Sequence, residues 1–232
     1  MINNYDQLPI GKYLDILALP KDLGEIEYQI AVLGILTGKT EDQLLDMPIQ
    51  EYQKLVAAAD FLASPLLGKD GREPHDGRKI PDRFTVAPFR LVLTKDVRKL
   101  NVAQYVDFQN YAKDMTKIPE MLSCVLIPDG CKYNEGYDVL QVQQAIRSSM
   151  PASMASEIAA FFLRKYAASI RRILISSAWI LHKIPRRKRT PEQTATLERA
   201  KASIRLLRGG AGLRMLMRSL SSPAVPGNTS GR

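Results

Sequence analysis

The side chains best suited to chemistry in this chain are two thiols and two imidazoles. Cys124 and Cys131 lie with six residues between them, and the histidines are His75 and His182. A nucleophilic cysteine needs a base brought to it, and only a fold joining one thiol to His75 or His182 would supply one. Isolated cysteines are more often small buried hydrophobes, so both are read as reduced, inert thiols. Two thiols and two scattered imidazoles match neither a zinc-ligand spacing nor a disulfide framework. Leu36-Thr-Gly-Lys-Thr40 looks like the end of a phosphate-binding loop. That loop needs a glycine five residues before Gly38, where Leu33 stands, and a strand ahead of it. The segment therefore reads as a helix-to-helix turn. Glu25 with Glu27, and Glu41 with Asp42, fall at expected helix starts, where the helix dipole accounts for them. No catalytic residue, metal or cofactor is assigned, and the chain is expected not to be an enzyme.

Charge is the feature with a functional alternative. The net charge of +9 is unevenly spread. Residues 1–62 hold four lysines against ten Asp/Glu, whereas residues 160–232 hold sixteen Lys/Arg against Glu192 and Glu198. Either the two ends meet each other or the basic end meets an acidic partner. Arg186, Arg187, Lys188 and Arg189, followed by Arg205 and Arg208, are the candidates for phosphate contact. No aromatic residue follows Trp179, so this segment offers no platform for base stacking.

Composition allows an ordinary folded protein, since 45% hydrophobic residues in a chain of 232 can fill a core. The start of the chain, Met1 to Asp6, lacks a basic and apolar leader. The apolar run Ile173–Leu181 is far below the roughly 20 residues that a membrane span needs. A soluble cytoplasmic protein with no membrane partner is the expectation. Ile26, Ile30, Leu33 and Leu36 recur at helical spacing; Thr40 is a natural N-cap, and Leu44, Tyr52, Leu55 and Val56 continue the stripe past a break at Pro48. Residues 63–83 are rich in Gly, Pro and charge. Residues 84–93 alternate like a strand, with Pro88 permitting only an edge or bulge. Helical periodicity returns at 101–114, 138–148 and from Ser153 to about Lys183. A charged helix is expected over 192–207, stopped by Gly209-Gly210. The fold expected is mainly α, with a small β hairpin or edge strand.

A weak internal repeat organises these elements. Leu8, Tyr13, Asp15, Lys21 and Asp22 reappear at a constant offset as Leu100, Tyr105, Asp107, Lys113 and Asp114. The boundaries that follow are a first helical unit at 1–62 and a linker or exposed loop at 63–83. A second unit with a short strand and a long helix spans 84–184, then a basic helical extension 185–220 and a disordered tail 221–232. Such units are too small to close separate cores. Leu33, Leu36, Leu44, Tyr52 and Leu55, with counterparts in the second unit, are expected to line an apolar groove that holds a partner helix.

The stretch Ile30-Ala-Val-Leu-Gly-Ile-Leu-Thr-Gly-Lys-Thr-Glu-Asp-Gln-Leu-Leu-Asp-Met-Pro-Ile-Gln-Glu-Tyr-Gln-Lys-Leu-Val56 resembles the tail assembly chaperones of long-tailed bacteriophages. There a helix, a Thr-Gly turn, an acidic helix start and an acid-aromatic step lead into a second helix. Leu100–Phe108 and Ile127–Gly130 are similar to a version found in phages and prophages of gut Bacteroidetes. The resemblance covers about residues 1–170. It implies no catalysis, action in the host cytoplasm, and binding of the long helical tape-measure protein during tail assembly, with other tail proteins as further partners. The basic C-terminal segment departs from that pattern, since many such chaperones are acidic. It leaves as the alternative a virion or neck protein that touches nucleic acid.

Overall fold

Pro9 fixes the backbone angle that opens the first helix, α1 (Ile10–Leu17). Its Ile10, Tyr13, Leu14 and Ile16 are buried, while Lys12 and Asp15 lie on the outer side. The structure is a computed structural model that describes residues 2–64, 66, 80–166, 190, 194, 195 and 198. Three helices follow α1. In α2 (Glu25–Thr37) the Glu27 carboxylate reaches back to accept from the Gly24 N–H at 3.1 Å, and the helix ends where Gly38 adopts the left-handed conformation, φ 75°. Thr40 and Gln43 form the reciprocal cap of α3 (Glu41–Leu45). Pro48 then precedes α4 (Ile49–Ala59), which runs into a 3-10 turn at Asp60–Ala63. The turn and cap expected at 37–40 and the break at Pro48 are all present.

The strand expected over 84–93 is two strands. Pro88 sits in the turn between β1 (Arg83–Val86) and β2 (Phe89–Leu93), which pair antiparallel with Phe84 opposite Leu91. The turn is the place where a residue without an N–H costs no ladder bond. A third strand, β3 (Leu126–Pro128), pairs antiparallel with the other edge of β2. Beside the sheet lie α5 (Val102–Tyr111), capped reciprocally by Asn101 and Gln104, and the short α6 (Ile118–Ser123). Two more helices follow: α7 (Val139–Ser149), with Asp138 as its cap, and α8 over residues 152–166. Ala152, Ala155, Ile158, Ala159, Ala160, Phe162 and Leu163 of α8 are all buried, the pattern of a helix surrounded by protein. The chain is therefore mainly helical with a small three-stranded antiparallel sheet.

One contiguous core runs from Leu8 to Leu163, taking buried residues from every helix except α3 and α4 and from all three strands. Its seam is the contact between the N-terminal segment and the α7–α8 corner. Residues 9 and 151 form an antiparallel bridge, flanked by Ile10 N–H to Met150 O at 2.8 Å and Ala152 N–H to Leu8 O at 2.7 Å. Helix α1 packs directly on α7, so closely that a Cβ on Gly11 would lie 2.6 Å from both Cγ and the carbonyl oxygen of Arg147. Next to that crossing the Arg147 guanidinium donates to Asp15 at 2.5 Å.

The repeat partners of α1 and α5 share residue types and a helix start but not surroundings. Ile10 is fully buried whereas Val102 is 81% exposed, and Leu14 is buried where Val106 is open. Asp15 pairs with Arg147, while Asp107 accepts from the Tyr133 hydroxyl at 2.8 Å. The buried face of α5 is set instead by Gln104 and Phe108, with Phe108 stacked edgewise on Tyr166 of α8. The basic extension and tail lie outside the described residues, apart from Thr190, Thr194, Ala195 and Glu198.

The close crossing makes Gly11 the most sensitive position of α1. Alanine is the better helix former by roughly 1 kcal/mol, but overpacking against a backbone carbonyl costs more. Gly11→Ala is expected to destabilise the protein by a net of up to about 2 kcal/mol, read as a lowered denaturation midpoint in urea at an unchanged m-value.

Candidate binding surface

Helix α2 is apolar on two faces, and the two faces enter different clusters. Val32 and Leu36 join the main core, while Ile30 and Leu33 join Leu44 of α3 in a small satellite cluster. Met47, Tyr52, Leu55 and Val56 pack over the satellite from the α3–α4 side. Of the expected groove residues, Leu33, Leu36 and Leu44 are closed core, and Tyr52 and Leu55 are half-buried against that core. The groove expected there is absent because α4 folds back and fills it. An apolar stripe shows which face of a helix seeks cover; it does not show that the cover comes from the same chain.

Apolar surface is exposed beside the satellite. Ile26 is 69% exposed, Leu45 61% and Ile49 66%, one on each of α2, α3 and α4. Ile26 lies one turn before Ile30 and so on the satellite face of α2. On the adjoining side of α2 runs a shallow groove of about 460 Å³ lined by Leu23, Glu27, Ile30, Ala31, Gly34 and Glu41. Gly34 lines it with backbone alone, and a Cβ there would come 3.3 Å from the Lys39 carbonyl oxygen. Two carboxylates stand at this apolar trough, Glu27 in its capping role and Glu41 in the first turn of α3. Across 24–60 seven Asp/Glu face only Lys39 and Lys54. The surface is therefore apolar patches set in negative charge. Of Ile26, Leu45 and Ile49, the sequence pattern marked Ile26 only as an ordinary stripe position and gave Ile49 no role.

The thiols do not form a nucleophilic site with any described base. Cys124, at the end of α6, is fully buried; its Sγ donates to Glu120 O at 3.4 Å and lies 3.7 Å from the Tyr133 hydroxyl. Burial pushes its thiol up to about 12. Tyr133 is also held protonated, by burial first and then by its hydrogen bond to Asp107. Cys131 is half-buried, and both thiols are free. The Glu120 Oε2 atom is buried without a hydrogen-bond partner among the described residues. His75 and His182 lie outside those residues, as do Arg186, Arg187, Lys188, Arg189, Arg205 and Arg208. Among the described residues no three His, Cys, Asp or Glu side chains gather as a metal ion requires. Nor is any described helix long and apolar enough to cross a membrane. The turn at Thr37–Thr40 is a helix-to-helix connection: the Thr37 hydroxyl donates back to Leu33 O at 2.6 Å and Thr40 caps α3.

No protein-family model, no curated protein and no solved structure matches the chain.

The difference between the two cysteines is directly measurable. At pH 8 a thiol titrating near 12 is about one part in ten thousand thiolate, and Cys124 has no access to solvent. Alkylation of the native protein by iodoacetamide is expected to label Cys131 at least about 100-fold faster than Cys124. Peptide mass spectrometry reads both rates, and equal labelling would place Cys124 at the surface.

Proposed function

We propose that this chain is a non-enzymatic binding protein of the tail-assembly-chaperone kind, which holds a long helical, tape-measure-like protein on the surface formed by α2, α3 and α4 in the host cytoplasm. The observation that carries the reading is the exposure of Ile26, Leu45 and Ile49 around a satellite cluster that is already filled. Large aliphatic side chains left open on three neighbouring helices suit an amphipathic partner helix that binds through apolar anchors. The resemblance of 30–56 to tail assembly chaperones falls on these same helices. The alternative is a protein that contacts nucleic acid through Arg186–Arg189, Arg205 and Arg208, favoured by the sixteen Lys/Arg of 160–232.

Salt, nuclease and mutation separate the two. A pull-down from infected or induced cells is expected to recover a long helical protein, identified by mass spectrometry and retained in 1 M salt and after nuclease treatment. The triple variant Ile26→Ser, Leu45→Ser, Ile49→Ser is expected to weaken capture by a factor of about 10² or more, because each anchor buried on binding contributes about 1–2 kcal/mol. Capture that disappears with salt or nuclease, and that the triple variant leaves unchanged, would favour the nucleic-acid reading.

A further inference from the structure

The charges around the exposed aliphatic side chains of α2–α4 limit what can cover them. Ile26 stands between Glu25 and Glu27, Leu45 comes one turn after Glu41 and directly before Asp46, and Ile49 comes three residues after Asp46. Glu27 and Glu41 also line the groove along α2, and Leu45 lies on the same side of α3 as Glu41, so the apolar surface continues from the edge of that groove. All seven Asp/Glu of residues 24–60 are exposed, and among the described residues none of them forms an ion pair. Against these seven stand Lys39 and Lys54, so the stretch carries −5 while the whole chain carries +9.

This charge disfavours several kinds of partner. A phosphate-bearing surface, whether nucleic acid or anionic membrane, meets the carboxylates. A second copy docking through the same face sets the acidic patch against itself, because an isologous contact uses one surface twice. A helix whose apolar row is flanked by acids has the same fault. We propose that the partner segment held on α2–α4 is a cationic amphipathic helix, whose apolar row meets Ile26, Leu45 and Ile49 while Lys/Arg beside that row face Glu27, Glu41 and Asp46. This names the chemistry of the partner and rests on the binding role given to α2–α4 above. The apolar anchors hold the helix, and the charges at the rim select it.

The test titrates the purified full chain against two dye-labelled synthetic helical peptides, each about five turns long. Both carry the same row of leucines at i, i+3, i+4 and i+7; the residues flanking the row are lysine in one and glutamate in the other. At 0.1 M salt, fluorescence anisotropy is expected to show the lysine peptide bound at least about fivefold more tightly, since each exposed charge pair contributes a factor of roughly two to five. The chain's overall +9 works against that result, so a preference for lysine reports a local acidic surface. The variant Glu27→Gln, Glu41→Gln, Asp46→Asn keeps the shape of each side chain, and is expected to reduce the preference below about twofold. In 1 M salt the wild-type preference is expected to vanish while the lysine peptide stays bound through its leucines. A lysine peptide that does not bind, or binds no more tightly than the glutamate peptide, would overturn the proposal, as would a preference that survives neutralisation of the three acids. The binding role itself is judged separately: if the Ile26, Leu45, Ile49 serine variant still loses the captured protein in the pull-down, that role stands and only the cationic character of the partner is wrong.

Discussion

The rest of the structure depends on the seam where the N-terminal segment meets the corner between α7 and α8. Two backbone hydrogen bonds, Ile10 to Met150 and Ala152 to Leu8, fix residues 8–10 against residues 150–152. The crossing of α1 over α7 is close because Gly11 lets the Arg147 backbone approach. The Asp15–Arg147 ion pair beside it is half-exposed on both sides, so it contributes at most about 1 kcal/mol. Burial contributes more. Leu8, Ile10 and Tyr13 are wholly removed from water, and each such side chain contributes about 1.5–3 kcal/mol. Without that contact the central helix α8 would lose one of its walls.

Once α1 is fixed, the position of α2–α4 follows. Helix α2 uses Val32 and Leu36 to rest on the main core, which leaves Ile30 and Leu33 facing away from it. That second face is too small to build a large core and is closed by Leu44, Tyr52 and Leu55 of α3 and α4. The result is a satellite joined to the main core through α2 and through the end of α4, where Ala59 and the following Phe61 and Leu62 pack on that core, with Ile26, Leu45 and Ile49 at its surface. A surface held this way can yield to a partner without disturbing the core, because few elements connect the two. The proposed partner uses this part of the molecule.

Local features were the legible ones. Gly38 as a left-handed stop, Thr40 as a cap, the break at Pro48 and the helices near 101–114 and 138–148 rest on neighbouring residues, and those rules hold in the fold. Pro88 was readable as a disruption but not as the centre of a hairpin, since an apolar alternation runs on both sides of it. Helix α6 and strand β3 left no signal because six and three residues are too few to show a period. The groove expected at Leu33, Leu36 and Leu44 was misread for a different reason: periodicity marks an apolar face, and only tertiary structure says which element covers it. The seam through residues 9 and 151 is equally invisible, because no local rule links residues that far apart. The repeat shows the same limit, with Tyr13 and Tyr105 alike in type and different in burial.

Native-state hydrogen exchange tests the central claim, that one core closed by the α1–α7 seam carries a separable α2–α4 satellite. The amides of Ile10 and Ala152 bond across the seam and are expected to exchange only through global unfolding, together with those of α7 and α8. The amides of α3 and α4 are expected to exchange by a smaller opening, at lower free energy and with weaker denaturant dependence. Exchange of Ile10 and Ala152 in step with α3 and α4, ahead of α7 and α8, would contradict the account, because it would put the seam in the satellite rather than in the core.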